Sequence, residues 1–297
     1  MLCGWHTRSD IPLTSLPTSV GGDDNIDVLI QIAPSPSPAV AKKLNRDVLE
    51  HSGEGWLIKI HGIADFEVIG GRQIQVWPAA AATQKDIEIF LFGLAWATLC
   101  HQRGVLPLHA SAITTKRGIT AFAGPSGVGK STTAALMSSI GYGLVTDDIL
   151  AVTFNPEAVP GAWPYLRRLK LQCGPIDQLA LTPAELVSEQ LDKEKHFVRP
   201  KSVADDTWNR LDRIYLLQNG TADSRDPINQ ITGAEAVRAL IDYTYYLDFV
   251  LDCGGFRDHL ALCTQLASKI PVYRLRLSPS LCELSSCISA HLEGAAR

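Results

Sequence analysis

A glycine-rich segment that ends in a lysine and a serine is the part of the sequence best equipped for chemistry. Residues 124–131, GPSGVGKS, match the pattern G-x-x-x-x-G-K-[ST] in full. Glycines of this pattern let the backbone curl around phosphate oxygens, and the helix that follows contributes the positive end of its dipole. The lysine reaches the outer phosphates and the serine hydroxyl ligates Mg²⁺. The segment therefore predicts a nucleoside triphosphate site.

Eight residues of this segment and the turn after it are expected to contact the nucleotide. They are Gly124, Ser126, Gly127, Val128, Gly129, Lys130, Ser131 and Thr132. The pattern alone does not separate kinases from motor ATPases and GTPases, because all of them use it. A GTPase would add the guanine-reading pattern N-K-x-D. The nearest segment, NRLD at 209–212, has arginine in place of lysine and is expected to precede its strand, so a GTPase is disfavoured.

Two adjacent acids, Asp147 and Asp148, lie shortly after the loop inside the apolar run GLVTDDILAV. Unpaired charges are costly in such surroundings, which favours a functional role over a solvated strand end. One carboxylate can orient or deprotonate an acceptor hydroxyl while the other holds Mg²⁺. We expect Asp147 to be the base and Asp148 the metal support, with the reverse assignment open. Since adjacent strand residues point to opposite faces, one should face the ligand and the other a supporting network.

His109 lies in the apolar segment LPLHASAIT, which is predicted to form the strand before the loop strand. If those two strands pair as a hairpin, His109 comes near the phosphates and joins Asp147, Asp148 and Lys130 as a candidate catalytic residue. A core histidine bonded to backbone would explain the same position equally well.

The elements that must position these residues alternate between strand and helix. The sequence predicts strands in LPLHASAIT, GITAFAG, YGLVTDDILAVTF, LRRLKLQ, LDRIYLLQN and PVYRLRLS. It predicts helices over 130–140 and in TPAELVSEQL, GAEAVRALIDYTYY, GGFRDHLALCTQLASK and SLCELSSCISAHLEG. The segment TPAELVSEQL is assigned as helix on its Thr-Pro start. Alternation of this kind around a phosphate loop predicts an α/β fold with the ligand at the strand ends.

Residues 1–105 are predicted to form a small β-rich region ahead of an α/β domain over 106–297. Residues 1–25 are polar and expected to be irregular, and SPSPAV at 35–40 has the composition of a linker. The stretch from Gly55 to Pro78 predicts an antiparallel meander with a turn at Gly70-Gly71. The segment TQKDIEIFLFGLAWATLCHQRG then predicts a helix that Thr83 caps.

Composition disfavours several other classes of protein. The chain has 297 residues, of which 46% are hydrophobic and 20% charged, the mixture of a soluble globular protein. A net charge of −4 gives no indication of a nucleic-acid or membrane partner. No apolar run is long enough to span a bilayer, so we expect a cytoplasmic protein. Seven scattered cysteines without a CxxC pair predict buried free thiols rather than disulfides or a zinc site.

The segment that runs from LHASAI through GITAFAGPSGVGKSTTAALMSSIGYGLVTDDILAV resembles the catalytic domain of HPr kinase/phosphorylase. That family has, in the same order and at similar spacing, a strand with a histidine, a phosphate loop, a short helix and an Asp-Asp pair. Within the group, the chain most resembles the HPr-kinase-like serine kinases of lasso-peptide and other ribosomal-peptide biosynthetic clusters. RGVLPLHASAI, PGAWPYLRRLKL and IPVYRLRL carry this closer likeness. The likeness is specific over residues 107–152 and weaker to residue 277.

The resemblance implies a P-loop kinase core of the HPr kinase C-terminal domain type, which uses ATP and Mg²⁺ to phosphorylate a serine hydroxyl. It implies Lys130 and Ser131 as phosphate and metal ligands, the aspartate pair as base and metal support, and His109 as the site histidine. HPr kinases are hexamers, which raises a homo-oligomer as an expectation. Thr132 replaces the family's glutamate, and YLRRLKLQ stands near the place of the EIRGLG-type signature. These departures disfavour HPr as the substrate and phosphorylase activity.

Basic side chains beyond the aspartates are further candidates. Arg167, Arg168 and Lys170 could face the triphosphate or a phosphorylated product, although a solvated strand edge would explain them equally well. The polar stretch 192–206 is expected to be a mobile loop or lid whose Arg199 or Lys201 closes over the nucleotide.

Three functional hypotheses follow. The leading one is an ATP-dependent kinase acting on a serine of a peptide or protein, with a ribosomal-peptide precursor as a candidate substrate. The second is a small-molecule kinase for free serine or a similar compound. Shikimate-kinase-like enzymes carry a D-x-D pair that leads into a helix, whereas DDILAV predicts a continuing strand. The third is a non-catalytic ATP-binding partner of a peptide-processing complex, with the N-terminal meander as its docking module.

Overall fold

The computed structural model describes residues 1–13, 16, 25–34, 37, 49–51, 55–188, 192–220 and 227–294. These residues form a mixed α/β structure with three sheets, which confirms the predicted α/β class. The strands are β1 Thr7–Ser9, β2 Val28–Ile32, β3 Leu49–His51, β4 Trp56–Ile60, β5 Ala64–Ile69, β6 Gln73–Pro78, β7 Leu106–Thr115, β8 Gly118–Ala123, β9 Gly143–Thr146, β10 Ile149–Phe154, β11 Pro160–Ala162, β12 Leu169–Gln172, β13 Pro183–Ser188, β14 Asp192–Val198, β15 Asn209–Asn219, β16 Ile228–Ile231 and β17 Val272–Leu277. The helices are α1 Gln84–Phe90, α2 Trp96–Gln102, α3 Lys130–Ser139, α4 Cys173–Gln178, α5 Gly233–Asp242, α6 Leu247–Asp252, α7 Phe256–Lys269 and α8 Leu281–Gly294.

The first sheet has the strand order β1-β2-β6-β5-β4-β3. Strands β4, β5 and β6 pair antiparallel, and Gly70 and Gly71 turn the chain with φ 54° and 65°, so the predicted meander is confirmed. The expectation that residues 1–25 are irregular is wrong at β1, which pairs parallel with β2. Most of the predicted linker at 35–40 lies outside the described residues.

One helical stretch covers this sheet and links it to the rest of the protein. Thr83 caps α1 through its side-chain oxygen, which accepts a hydrogen bond from the Asp86 N–H at 3.2 Å. A π-helical segment, Leu91–Ala95, joins α1 to α2. The apolar face of this stretch packs in one core with the sheet residue Phe66 and with Ile149 and Tyr165 from later in the chain. The first sheet therefore shares a hydrophobic core with the elements around the aspartate pair.

The central sheet has the order β11-β10-β7-β8-β15-β17-β16. Strands β8, β15 and β17 are parallel, whereas β7 is antiparallel to β8. Strands β9 and β10 follow one another along the other edge of β7, both antiparallel to it. As a result β8 and β9 run in the same direction on either side of β7. Their carboxyl ends, which precede the phosphate loop and the aspartate pair, meet at one edge of the sheet.

The third sheet, β12-β14-β13, contains the largest departures from the sequence-based expectations. The segment TPAELVSEQL, predicted as a helix, contains strand β13. Proline is tolerated as the first residue of a strand, and pairing with β14 overrides the local helix signal. Residues 192–198 form β14 rather than a lid. The chain that follows is tied to β9, because the Leu144 N–H donates to the Ser202 carbonyl at 3.0 Å.

The remaining predicted elements are largely confirmed, with α3, α5, α7, α8, β15 and β17 at the expected places. The NRLD segment at 209–212 was expected to precede its strand but forms the first residues of β15. All seven cysteines are free thiols, and Cys173 and Cys282 are exposed, which corrects the expectation that they are buried. In the described part of the chain, no helix has the length and apolar character needed to cross a membrane.

The entry into β8 provides a stability test. Gly118 has φ 130°, and a Cβ added there would collide with the Arg210 carbonyl on β15. Gly62 has φ 75°, and its Cβ would meet no atom within 4 Å. Gly62→Ala should cost about 1 kcal/mol of unfolding free energy through backbone strain alone. Gly118→Ala should cost about 2–4 kcal/mol because β15 must also shift. Urea denaturation measures both losses, and equal values would contradict the pairing of β8 with β15.

Candidate active site

The phosphate loop joins the buried end of β8 to the start of α3. Gly124, Gly127 and Gly129 have φ values of 153°, 79° and 111°. Residues other than glycine rarely adopt this backbone conformation. Gly129 is the N-cap of α3, so the positive end of the helix dipole faces the loop. The backbone therefore has the curled conformation that the sequence pattern predicts for phosphate binding.

Lys130 reaches back into this loop. Its ammonium donates to the carbonyl oxygens of Gly124 at 2.9 Å and Pro125 at 3.0 Å. Burial lowers the pKa of Lys130, the charges of Asp148 and Asp147 oppose that shift, and Lys195 adds to it. The ammonium thus lies inside the loop, where a phosphate oxygen could replace the two carbonyls as its partner.

Asp147 is buried and held by donors from three elements. Its Oδ1 accepts hydrogen bonds from the Ser131 hydroxyl at 2.8 Å and the Ser111 hydroxyl at 2.5 Å, and its Oδ2 accepts from the Lys170 backbone N–H at 3.0 Å. Burial and the Asp148 charge raise the pKa of Asp147, and these hydrogen bonds offset only part of the increase. Asp147, rather than Asp148, therefore contacts the hydroxyl that was predicted to ligate Mg²⁺.

Asp148 faces two cationic or protonatable groups. Its Oδ2 lies 3.0 Å from the Lys170 ammonium and its Oδ1 lies 3.3 Å from His109 Nε2. Burial would raise the pKa of Asp148, but Lys170 and His109 outweigh it and hold that pKa well below the ordinary carboxyl range. The side chain is 30% exposed, which leaves it more accessible than Asp147.

The backbone at Asp148 explains why both carboxylates act in one place. Its φ is 83°, a left-handed conformation that costs a residue with a side chain about 1–2 kcal/mol. This conformation interrupts the strand between β9 and β10. The expected alternation of the two side chains between opposite faces does not occur, and both of them line the same crevice. Strain of this kind is typical of functional sites.

Strand β7 forms the expected hairpin with β8, and its pairing with β10, in which His109 lies opposite Ile149, brings His109 to the aspartates. The N–H of His109 donates to the Tyr243 carbonyl at 2.8 Å, and its ring meets that of Tyr245 edge-on, with centroids 5.4 Å apart. Tyr245 is a residue that sequence reasoning missed, because the loop after α5 carries no motif. Ser111 was also missed, although its position two residues after His109 on one strand places both side chains on the same face.

The basic residues divide into two groups. Lys170 pairs with Asp148, and the Arg168 guanidinium lies 3.9 Å from the centre of the Phe197 ring. Lys195 was missed because its segment had been assigned to a lid. In the antiparallel pairing of β12 with β14, Gln172 lies opposite Lys195 and Lys170 opposite Phe197. Lys195 therefore lies on the same face of the sheet as Lys170, and its charge contributes to lowering the pKa of Lys130.

Three other basic residues lie away from the loop. Arg167 pairs with Asp206 at 2.8 Å and does not join the aspartates. Arg199 and Lys201 line a separate cleft of about 440 Å³ beside residues 180–184. The neighbouring Ser202 bonds to Ser138 near the carboxyl end of α3, whereas the phosphate loop lies at the other end of that helix. In this structure Arg199 and Lys201 therefore lie away from the phosphate loop, and their closing over the nucleotide stays a prediction.

The donor set fits Mg²⁺ that is shared with a nucleotide. Ser131 and Asp147 present adjacent oxygens, and hard cations such as Mg²⁺ prefer oxygen ligands. Within the described ranges, no group of three or more His, Cys, Asp or Glu side chains could hold a metal by itself. Mg²⁺ commonly takes one or two carboxylates and completes its shell with water and substrate phosphates.

Known proteins show little similarity to this chain. No protein-family model matches the chain, and no curated protein matches it. Among solved structures, the Hpr(Ser) kinase/phosphatase from Coxiella burnetii superposes with a TM-score of 0.35 at 8% identity, covering 64% of this chain and 99% of that one. A superposition this loose supports no functional inference, so the function must be inferred from the side chains.

The ion pair between Lys170 and Asp148 gives a direct electrostatic test. Lys170→Met should raise the pKa of Asp148, because the cation that most strongly favours its charged form is lost. Carbon-detected NMR titration of the Asp148 carboxyl measures this pKa. Lys201→Met removes an exposed lysine outside the site and should leave the pKa of Asp148 unchanged. An unaltered Asp148 pKa in Lys170→Met would contradict the pairing.

Proposed function

We propose that the chain is an ATP-dependent kinase that transfers the γ-phosphate to a serine hydroxyl of a peptide or protein. The observation that carries this proposal is the pair of carboxylates beside the phosphate loop, with different partners for each. Asp147 bonds to Ser131, and Asp148 lies between Lys170 and His109. Nucleotide binding alone would need the loop, Lys130, Ser131 and one acid. A second acid that is more exposed supports chemistry on an acceptor.

The nucleotide half of the site would use the loop and Asp147. The loop N–H groups, the α3 terminus and Lys130 would hold the phosphates of ATP. Ser131 and Asp147 would hold Mg²⁺, which when bound neutralises charge that develops on the phosphate oxygens. This reverses the sequence-based preference, in which Asp147 was the base and Asp148 the metal support. The reason is that Asp147 accepts a hydrogen bond from the Ser131 hydroxyl. Its two other hydrogen bonds, from the Ser111 hydroxyl and the Lys170 backbone N–H, hold it in that position.

The acceptor half would use Asp148. Its carboxylate would orient the acceptor hydroxyl and take its proton while the acceptor oxygen bonds to the γ-phosphorus. The bond from that phosphorus to the bridging oxygen would break, and ADP would leave. A low pKa makes Asp148 a weak base, but phosphoryl transfer depends mainly on positioning and charge stabilisation. Lys170 and His109 would hold the carboxylate in place, and Lys170 with Lys195 would offset the charge of the transferred phosphate.

The nature of the acceptor rests on the sequence resemblance. The likeness to HPr-kinase-like serine kinases of ribosomal-peptide clusters supports a peptide serine. The missing EIRGLG-type signature disfavours HPr.

Phosphate transfer tests the proposal directly. Wild-type protein with [γ-³²P]ATP and Mg²⁺ should label a serine-ending precursor peptide and leave HPr unlabelled. Asp148→Asn should reduce transfer by about 10²–10⁴-fold, the range for loss of a general base, while ATP affinity changes little. Asp205→Asn, an exposed acid outside the site, is the matched control. Label on free serine would make this a small-molecule kinase, and ATP binding without any transfer would favour a non-catalytic partner.

The division of roles between the two acids has its own test. Asp147→Asn should raise the Mg²⁺ concentration that gives half-maximal activity at least about tenfold, because a metal ligand or its support is lost. Asp148→Asn should lower the maximal rate without moving that concentration. Magnesium titrations of residual transfer activity distinguish the two. The opposite pattern would restore the sequence-based assignment.

A further inference from the structure

The cleft of about 440 Å³ at the border of the third sheet is bounded by two stretches of chain. One stretch, residues 180–184, leads from α4 into β13, and the other carries Arg199 and Lys201 just after β14. Both basic side chains are exposed, and the intervening Pro200 is half-buried. Ligand pockets commonly have volumes in this range. We call the space lined by these residues the basic cleft.

The walls of the basic cleft are fixed to neighbouring elements. The chain bends at Lys201 and Ser202, where the Ser202 N–H donates to the Ser138 hydroxyl of α3 at 3.0 Å. On the other wall, the Leu181 N–H donates to the Ile176 carbonyl of α4 at 3.0 Å. Because both walls are hydrogen-bonded to helices, the cleft is a formed feature of the surface.

The two cations of the basic cleft have no acidic partner in the protein. Within the part of the chain that the structure describes, neither Arg199 nor Lys201 forms an ion pair. The acid at this end of β13, Glu185, is already paired with Lys85 at 2.7 Å. Asp205, an exposed acid a few residues further along the chain, does not line the cleft. The cleft therefore offers two uncompensated positive charges to a ligand.

Apolar side chains and a free strand edge adjoin these charges. Leu181, Pro183 and Ala184 contribute aliphatic groups to the lining, and Val203, two residues beyond Lys201, is 53% exposed. Strand β13 lies at the edge of the third sheet, and its first residues are exposed. An exposed edge offers backbone hydrogen-bonding groups to an extended chain. Exposed apolar surface rimmed by charge is typical of an interaction site.

We propose that the basic cleft docks an acidic segment of the peptide substrate, remote from the acceptor serine. The inference rests on the proposed peptide kinase function. Arg199 and Lys201 occupy alternate positions, and an extended peptide presents every second side chain on one side. The segment that fits has two acids at alternate positions, acid-x-acid, beside an apolar residue.

The lining favours a peptide over a nucleic acid. Proteins that bind single-stranded nucleic acid stack its bases on aromatic side chains, and no aromatic residue lines the basic cleft. Its aliphatic groups and the adjoining strand edge instead match the side chains and backbone of an extended polypeptide.

The position of the cleft sets a minimum spacing between the docking segment and the acceptor. Helix α3 has ten residues, so it is about 15 Å long. The phosphate loop precedes its first residue, and the chain beside the cleft contacts it at Ser138, near its last. An extended peptide covers about 3.3 Å per residue. The acceptor serine should therefore lie at least about five residues from the nearer docking acid.

Binding to synthetic peptides tests the proposal without requiring catalysis. Fluorescein-labelled peptides carry one serine and, about six residues before or after it, the segment Glu-Gly-Glu-Gly-Leu. Matched peptides have glutamine or lysine in place of both glutamates. The cleft variant is Arg199→Glu/Lys201→Glu. The control variant, Lys116→Glu/Arg257→Glu, makes the same change in net charge at two exposed positions outside the cleft.

Fluorescence anisotropy should show that wild-type protein binds the glutamate peptide at least about tenfold more tightly than the glutamine peptide. The cleft variant should lose at least about tenfold in affinity for the glutamate peptide, because two attractions become two repulsions. It should bind the lysine peptide more tightly than wild-type protein does, since the charge swap restores attraction. Its affinity for ATP should stay within about twofold, and the control variant should match wild type.

Equal affinities of wild-type protein for the glutamate and glutamine peptides would overturn the docking site, as would unchanged affinity in the cleft variant. A large loss of ATP affinity in the cleft variant would also overturn it, because Arg199 and Lys201 would then close over the nucleotide. Tighter binding of a single-stranded RNA than of the glutamate peptide, lost in the cleft variant, would assign the cleft to nucleic acid.

Failure of the kinase proposal looks different. Wild-type protein that binds the glutamate peptide through the cleft but consumes no ATP would overturn the kinase function and leave a peptide-binding site. Phosphate transfer that is equal for all three peptides and unchanged in the cleft variant would overturn the docking site and leave the kinase function.

Discussion

The hydrogen bonding of one buried carboxylate, that of Asp147, holds the rest of the site together. A carboxylate in the interior is costly unless donors surround it. Here the donors come from Ser131 on α3, Ser111 on β7 and the Lys170 backbone on β12. Each donor belongs to a different element, so satisfying the charge also sets the positions of the loop helix, the histidine strand and the third sheet relative to one another.

Asp148 depends on that arrangement but contacts a different set of groups. Its left-handed backbone turns the side chain out of the strand alternation and toward Lys170 and His109. The neighbouring Asp147, locked by its donors, keeps this strained conformation in place. Two adjacent residues thereby acquire opposite pKa shifts, because burial and the Asp148 charge raise the pKa of Asp147, whereas Lys170 and His109 hold the pKa of Asp148 low. Such divergence is a common way to divide roles between two acids.

The first sheet and its covering helix are part of this arrangement. The core that contains Phe66 and Trp96 continues to Ile149 and Tyr165, which both follow the aspartates in the chain. Tyr165 joins that core to the π-helical segment through its hydroxyl. The β-rich region is therefore packed against the site, and its helix contributes side chains to the crevice that both aspartates line.

The sequence by itself determined the features that depend on short-range patterns. The phosphate loop follows from glycine spacing, the meander from apolar alternation around Gly70-Gly71, and the nearness of the aspartates to the loop from one short helix between them. Only the tertiary structure decided the features that depend on partners distant in the chain. Strand β13 forms because β14 lies beside it, Arg167 turns away because Asp206 attracts it, and the aspartate roles depend on contacts with Ser111 and Lys170. Local periodicity carries no information about such long-range pairings, so neither the third sheet nor the crevice could be inferred before the fold was known.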